Sequence, residues 1–265
     1  MKIGIAQMDC EVGNIDKNMD KIFLFAEKAG KRCCDIILFP EMIDTGYNME
    51  VIRQKASTWD EKPFALVRKA AMENKIHIIC SLSEKSEDKI YNSTLVMSPD
   101  GEMLARYRKN HLADYPPLNE GSCITPGNTM EIVEINGISF GLTICYDLRF
   151  PEMNRSLVLK GADVLLLCSA WPLPRLRHWN TLISARAIEN QVYFVAANRV
   201  GNDGSVTFCG SSRIIDPYGV VAASASEEGE ALITGEIDLK IIKRVREKMP
   251  VFSHRTELDQ LTINN

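Results

Sequence analysis

Two stretches of this chain, DIILFP (35–40) and DVLLLCS (163–169), run apolar without the alternation of a half-exposed strand. An unbroken apolar strand needs cover on both faces. Any fold for this sequence must therefore bury these strands between two layers.

The flanking sequence supplies those layers. IGIAQ (3–7), IHIICSL (76–82) and VYFVAAN read as further buried strands. Between Asn18 and Lys31 the apolar residues Ile22, Phe25, Ala26 and Ala29 recur at helical spacing. Helices are also expected over Phe64–Asn74 and Leu176–Asn190, and one starts at Pro151 and ends at Gly161. Three hairpins are expected: 94–107 turning at Pro99-Asp100-Gly101, 132–145 turning at Asn136-Gly137, and 211–224 around Asp216-Pro217-Tyr218-Gly219. Two sets of strands, each with its own helices, predict an α/β fold of four layers, an αββα sandwich. No stretch rich in Gly, Ser or Pro divides the chain, and residues 1–265 read as a single domain. The longest segment without periodicity is 110–128, and such a loop inside a compact domain is often functional.

Composition narrows the function. The net charge is −4 and no basic stripe is present, so nucleic acid is not an expected partner. The basic run Lys240–Lys248 alternates with apolar and acidic residues and reads as the solvated face of a helix. No apolar run approaches the ~20 residues of a membrane span, and the N-terminus shows no secretory leader. Eight cysteines, several inside apolar strands, suit buried free thiols in a reducing compartment, and a cytoplasmic location is expected. Zinc is not expected: there is no CxxC pair, and His77, His111, His178 and His254 are scattered. No metal or cofactor is called for.

Three reactive groups stand at the ends of apolar strands: Glu41 after ILFP, Lys109 after RYR and Cys145 after GLTI. Strand ends border crevices where ligands bind. A thiol needs activation at neutral pH. A buried carboxylate with a raised pKa can accept its proton, and an ammonium can stabilise an oxyanion. Taken singly, each has an ordinary reading: a helix-start acid, a surface cation, one of eight thiols.

The three segments LFPE (38–41), YRKNHL (107–112) and CYDLRFPE (145–152) resemble, in order and separation, the signature segments of the nitrilase, or carbon–nitrogen hydrolase, superfamily. The resemblance extends through 171–201 and 208–219 to MPVF (249–252). It implies the αββα fold, homodimers, and a mechanism in which Glu41 is the base, Cys145 the nucleophile, and Lys109 with the backbone N–H of Tyr146 the oxyanion donors. Glu120, in EGSCITPG, resembles the second glutamate that orients the lysine. Tyr47, Tyr146 and Trp171 are candidates to line the pocket. Arg149, Arg175 and Arg177 are candidates for a substrate carboxylate, with salt bridges to nearby acids as the alternative. His111 and His178 are candidates for hydrogen-bonded support.

Cys145 is followed by Tyr-Asp, where nitrilases of the superfamily tend to have Trp-Glu. CYDLRFPE with SAWPLPRLRHW is more similar to the branch acting on ω-amides of small acids. The expected activity is hydrolysis of a small amide by water, specifically the ω-amide of a 2-oxo dicarboxylic acid. A carbamoyl-amine hydrolase or nitrilase, an acyl-transferase and a non-catalytic interaction protein are the alternatives; the Glu, Lys, Cys order opposes a Cys–His protease.

Overall fold

A computed structural model describes residues 1–256. The last nine residues of the expected domain, 257–265, lie outside the described residues. The strands in chain order are β1 (Lys2–Gln7), β2 (Ile36–Leu38), β3 (His77–Ser86), β4 (Lys89–Met97), β5 (Met103–Arg108), β6 (Ile132–Ile135), β7 (Ile138–Ile144), β8 (Val164–Ser169), β9 (Tyr193–Asn198), β10 (Arg213–Ile215), β11 (Val221–Ser224) and β12 (Ala231–Glu236). The helices are α1 (Ile15–Lys31), α2 (Met49–Lys55), α3 (Lys62–Asn74), α4 (Pro151–Leu159), α5 (Leu176–Asn190) and α6 (Leu239–Lys248).

The strands form two six-stranded sheets, ordered β12-β1-β2-β3-β4-β5 and β11-β10-β9-β8-β7-β6. Each is built around a parallel triplet, β1-β2-β3 in the first and β7-β8-β9 in the second, with antiparallel strands on both flanks.

The unbroken apolar strands are explained by this layering. In β2, Ile36 and Leu38 join a core shared with Phe140, Leu142 and Ile144 of the second sheet. Ile37 and Phe39 point the other way, against Ile22, Phe25, Phe64 and Val67 of α1 and α3. Strand β8 is likewise buried along its length, covered by Met153 and Leu157 of α4 and Ile183 of α5. Covering both faces of one such strand buries several aliphatic side chains, each contributing about 1.5–3 kcal/mol.

Helix α5 spans the residues expected from periodicity, and Asn136 and Gly137 both take the positive φ of a type I′ turn (50° and 76°). The hairpin expected over 94–107 is longer: β4 starts at Lys89 and also pairs with β3 through a turn at Glu87-Asp88. Strand β12 and helix α2 were not expected; β12 is a half-buried edge strand containing Gly235, and α2 is a short helix capped by Asn48. No described helix is long and apolar enough to cross a membrane.

The topology places the reactive residues together. Strand β5 is antiparallel to β4, and β4 to β3, so β5 points the same way as β2. The ends of β2 and β5 in one sheet, and of β7 and β8 in the other, meet at one rim.

Candidate active site

Glu41, Lys109 and Glu120 are fully buried (0% exposed), and Cys145 is 4% exposed. Glu41 sits just past β2, Lys109 immediately follows β5, and Cys145 immediately follows β7. Glu120 begins a single 3-10 turn (Glu120–Ser122) inside the aperiodic segment.

Lys109 Nζ bridges two carboxylates, donating to Glu41 Oε1 at 2.8 Å and Glu120 Oε1 at 2.6 Å. Every remaining carboxylate oxygen has a donor. Asn92 Nδ2 reaches Glu41 Oε1 at 2.6 Å, the Ala170 N–H reaches Glu41 Oε2 at 2.8 Å, and the Ala113 N–H reaches Glu120 Oε2 at 2.5 Å. Buried charges are tolerated when paired and hydrogen-bonded in this way. The Ala170 bond spans the two sheets, as does the bond from the Glu41 N–H to Ser169 O.

Burial raises the Glu41 carboxyl above the usual range, and the Lys109 ammonium offsets this only in part. Burial also works against the Lys109 charge, but Glu120 and Glu41 outweigh it and hold the amine protonated. The Cys145 thiol is pushed up by burial and then by Glu41, with Lys109 pulling it back. The resting thiol is therefore neutral, next to a carboxylate with raised proton affinity and a fixed cation. This arrangement can move a proton from sulfur to Glu41 when sulfur attacks.

Cys145 has φ +41°, in a region that costs a side-chain-bearing residue on the order of 1–3 kcal/mol. Asp147 holds that turn. Its Oδ2 accepts from the Ile144 N–H (2.9 Å) and Tyr107 Oη (2.7 Å), and its Oδ1 from the His111 N–H (3.1 Å) and Nδ1 (2.8 Å). One buried carboxylate thus fastens the cysteine turn to both sides of Lys109. The His111 ring also stacks on Phe150 at 3.7 Å.

The opening beside Cys145 is narrow, about 10 Å³, the room of about one water. Tyr146, Trp171, Arg149 and Arg175 line it. The Arg149 guanidinium lies 4.6 Å from the Trp171 ring and 5.6 Å from Tyr146, and Arg175 lies 4.9 Å from Tyr115. Among the described residues neither arginine forms an ion pair with an acid. Arg177 is exposed and does not line the opening. His178 sits 3.4 Å from Arg149.

Tyr47 is placed differently from expectation. It does not line the opening at Cys145 but an adjoining cavity of about 220 Å³. Its buried hydroxyl has no hydrogen-bond partner, although it lies close to Glu120 without meeting hydrogen-bond geometry. Its N–H donates to Asp203, which pairs with the buried Arg199. The Tyr47 hydroxyl stands within electrostatic reach of Glu120, Glu41 and Cys145; burial first, and then these groups, push it above the usual phenol range.

Several site residues were not singled out in the sequence: Asn92, Tyr107, Asp147, Ser169 and Arg199. Ser169 Oγ is buried beside the Cys145 thiol without a formal hydrogen bond. The available signal was polar side chains inside otherwise apolar strands, as in KIYNSTLVM (89–97).

The fold and site are those of an α/β protein of four layers with a buried Cys, Lys and two Glu at the rim between its sheets. The sequence profile of the carbon–nitrogen hydrolase family matches residues 2–247, and the chain belongs to that family. It is an enzyme that hydrolyses carbon–nitrogen bonds other than peptide bonds. Among its relatives, a 2-oxoglutaramate amidase of Bacillus subtilis (strain 168) is 36% identical over 251 residues, covering 94% of this chain and 95% of the relative. An omega-amidase of Homo sapiens is 30% identical over 260 residues, covering 95% and 94%. A superfamily protein of Xanthomonas campestris, solved with an arsenic adduct in its active site, superimposes with a TM-score of 0.90 at 28% identity, covering 100% of this chain and 99% of that one.

Proposed function

We propose that this enzyme is an amidase that uses Cys145 to convert a small primary amide bearing a carboxylate into an acid and ammonia. The ω-amide of a 2-oxo dicarboxylic acid is the specific substrate class. The observation that carries this reading is a buried Glu41–Lys109–Glu120 cluster at a cysteine turn whose opening holds two arginines without acid partners. The 2-oxoglutaramate amidase and omega-amidase relatives support it.

In this reading Cys145 Sγ attacks the amide carbon while its proton passes to Glu41. Lys109 Nζ and the Tyr146 N–H stabilise the oxyanion; losing one such donor costs about 3–4 kcal/mol of barrier. The C–N bond breaks as Glu41 returns the proton to nitrogen, and ammonia leaves. Water then gives a proton to Glu41 and adds to the thioester. The C–S bond breaks, the sulfur regains a proton, and the acid is released. Glu120 holds Lys109 in place. Arg149 and Arg175 hold the substrate carboxylate, with Trp171 and Tyr146 as the walls behind them.

Three organisational readings accompany this one. The core shared between the sheets supports one catalytic domain over the described residues, 1–256. Eight free cysteines support a cytoplasmic location. Exposed Ile188, Tyr218 and Val220 support a homodimer.

The test is ammonia release from a panel of simple amides, ω-amides of oxo acids, carbamoyl amines and nitriles, with Cys145→Ala as the blank. Release from an ω-amide that the blank lacks is expected. Release confined to carbamoyl amines or nitriles would replace the amidase reading.

A further inference from the structure

The opening at Cys145 is tight, but it continues sideways. Leu118, Pro172 and Arg175 line both it and a second cavity of about 240 Å³, walled further by Leu173, Pro174 and Val206. Ser205 and Thr207 also line it; apart from these two and Arg175 the lining side chains are hydrocarbon. Leu118 and Val206 form a buried base, while Leu173 stands at the edge, 42% exposed. The walls are tied together: the Leu173 N–H donates to Thr207 O at 2.8 Å, and Pro172 pairs with Phe208. The cavity is thus formed by fastened backbone, as expected of a binding site that is largely preformed and apolar with few polar groups.

The two sides of Cys145 differ. Inward stand Glu41, Lys109 and Glu120, sealed from solvent and fully hydrogen-bonded. A nitrogen that takes its proton from Glu41 leaves on this side, where a substituent on it has no space. Outward stand Arg149, Arg175 and the apolar cavity. A 2-oxo carboxylate held at Arg175 sets the first carbons of its chain at the cavity mouth, because Arg175, with Leu118 and Pro172, walls both spaces.

We infer that the cavity between Leu118, Pro172–Pro174 and Val206 is an acyl-side subsite. The preferred substrates are primary ω-amides whose acyl part carries an alkyl or aryl branch on the carbon beside the 2-oxo group, between it and the amide. This rests on the amidase reading above and extends it: the substrate is larger than a simple ω-amide of an oxo acid, and its added bulk lies on the acid product, never on the released nitrogen. Burying each methylene there raises kcat/KM by about fourfold.

The experiment compares kcat/KM across two series of carboxylate-bearing amides. One lengthens an alkyl branch on the carbon beside the 2-oxo group; the other carries the same chains on the amide nitrogen. The first series is expected to rise by about fourfold per methylene until the cavity is full, and the second to fall. Leu173→Asp, at an exposed position where misfolding is not at issue, is expected to lower the long-to-short ratio about tenfold by placing a charge against the chain. A flat first series with the short amide still turned over would overturn the subsite and leave the amidase reading standing. A rising nitrogen series would overturn the assignment of sides. No turnover of any member would remove both readings together.

Discussion

Replacing Asp147 with Asn tests whether the cysteine turn and the Lys109 segment work as one braced unit. Asn keeps the size of the side chain but can present only one accepting oxygen. If that oxygen stays with Ile144 and Tyr107, the new NH2 group faces the His111 N–H, two donors in conflict. If it turns to His111, the Ile144 N–H loses its acceptor. Either way one buried N–H is orphaned and at least one bond to a charged group is lost. Bonds to charged groups are worth about 1.5–3 kcal/mol, so a loss of about 3 kcal/mol is expected. For a chain of this size that lowers Tm by roughly 6–12 °C. Activity should fall further than stability suggests. A displacement of about 1 Å at a reacting group can cost about 100-fold, and Asp147 sits between the nucleophile and the lysine. The assay is kcat at a temperature well below the lowered Tm, with thermal unfolding followed in parallel. A kcat within threefold of wild type despite the lower Tm would refute the bracing argument and leave Asp147 a purely structural residue.

Other outcomes are as definite. Glu120→Gln leaves Lys109 with one carboxylate; turnover should drop about 10–100-fold while Cys145 still reacts with alkylating agents, and full activity would make Glu120 an ordinary buried acid. Arg149→Gln should raise KM for carboxylate-bearing amides about tenfold or more and leave neutral amides little changed; an equal effect on both would remove Arg149 from substrate binding. Asp44 is fully buried, and burial lifts its carboxyl from 3.8 to about 6. Its folded form therefore binds the proton more tightly than its unfolded form, so stability is lost as pH rises from about 4 to about 6. The loss is about 3 kcal/mol relative to Asp44→Asn; parallel stability curves for the two proteins across this window would show the cause lies elsewhere.

Much of the frame could be read from residues because burial dictates sequence so directly. Strands β2 and β8 are apolar throughout because each is covered on both faces, and α5 repeats its apolar positions because one side packs on the second sheet. Strand β12 lacked such a mark: an edge strand with half-buried positions needs no regular pattern. The motif residues Glu41, Lys109 and Cys145 fell at strand ends, visible from local sequence. Asn92 and Asp147 did not stand out, since their importance comes from partners far along the chain, 51 residues away for Asn92 and Glu41 and 40 for Asp147 and Tyr107. Tyr47 misled for a similar reason. Asp203 and Phe208, distant in sequence, hold its backbone N–H and its ring at the adjoining cavity.

Glu41 and Lys109 come from the first sheet and Cys145 from the second. This has a consequence for biosynthesis. The ribosome makes the carboxylate and the amine before it makes the thiol, and the strands that must receive Cys145 are already outside when it emerges. Until the second sheet docks, the cysteine is an ordinary thiol with neither a base nor a cation beside it. A nascent or half-folded chain therefore cannot form a thioester with passing metabolites, and the appearance of activity in a refolding experiment times the meeting of the two halves.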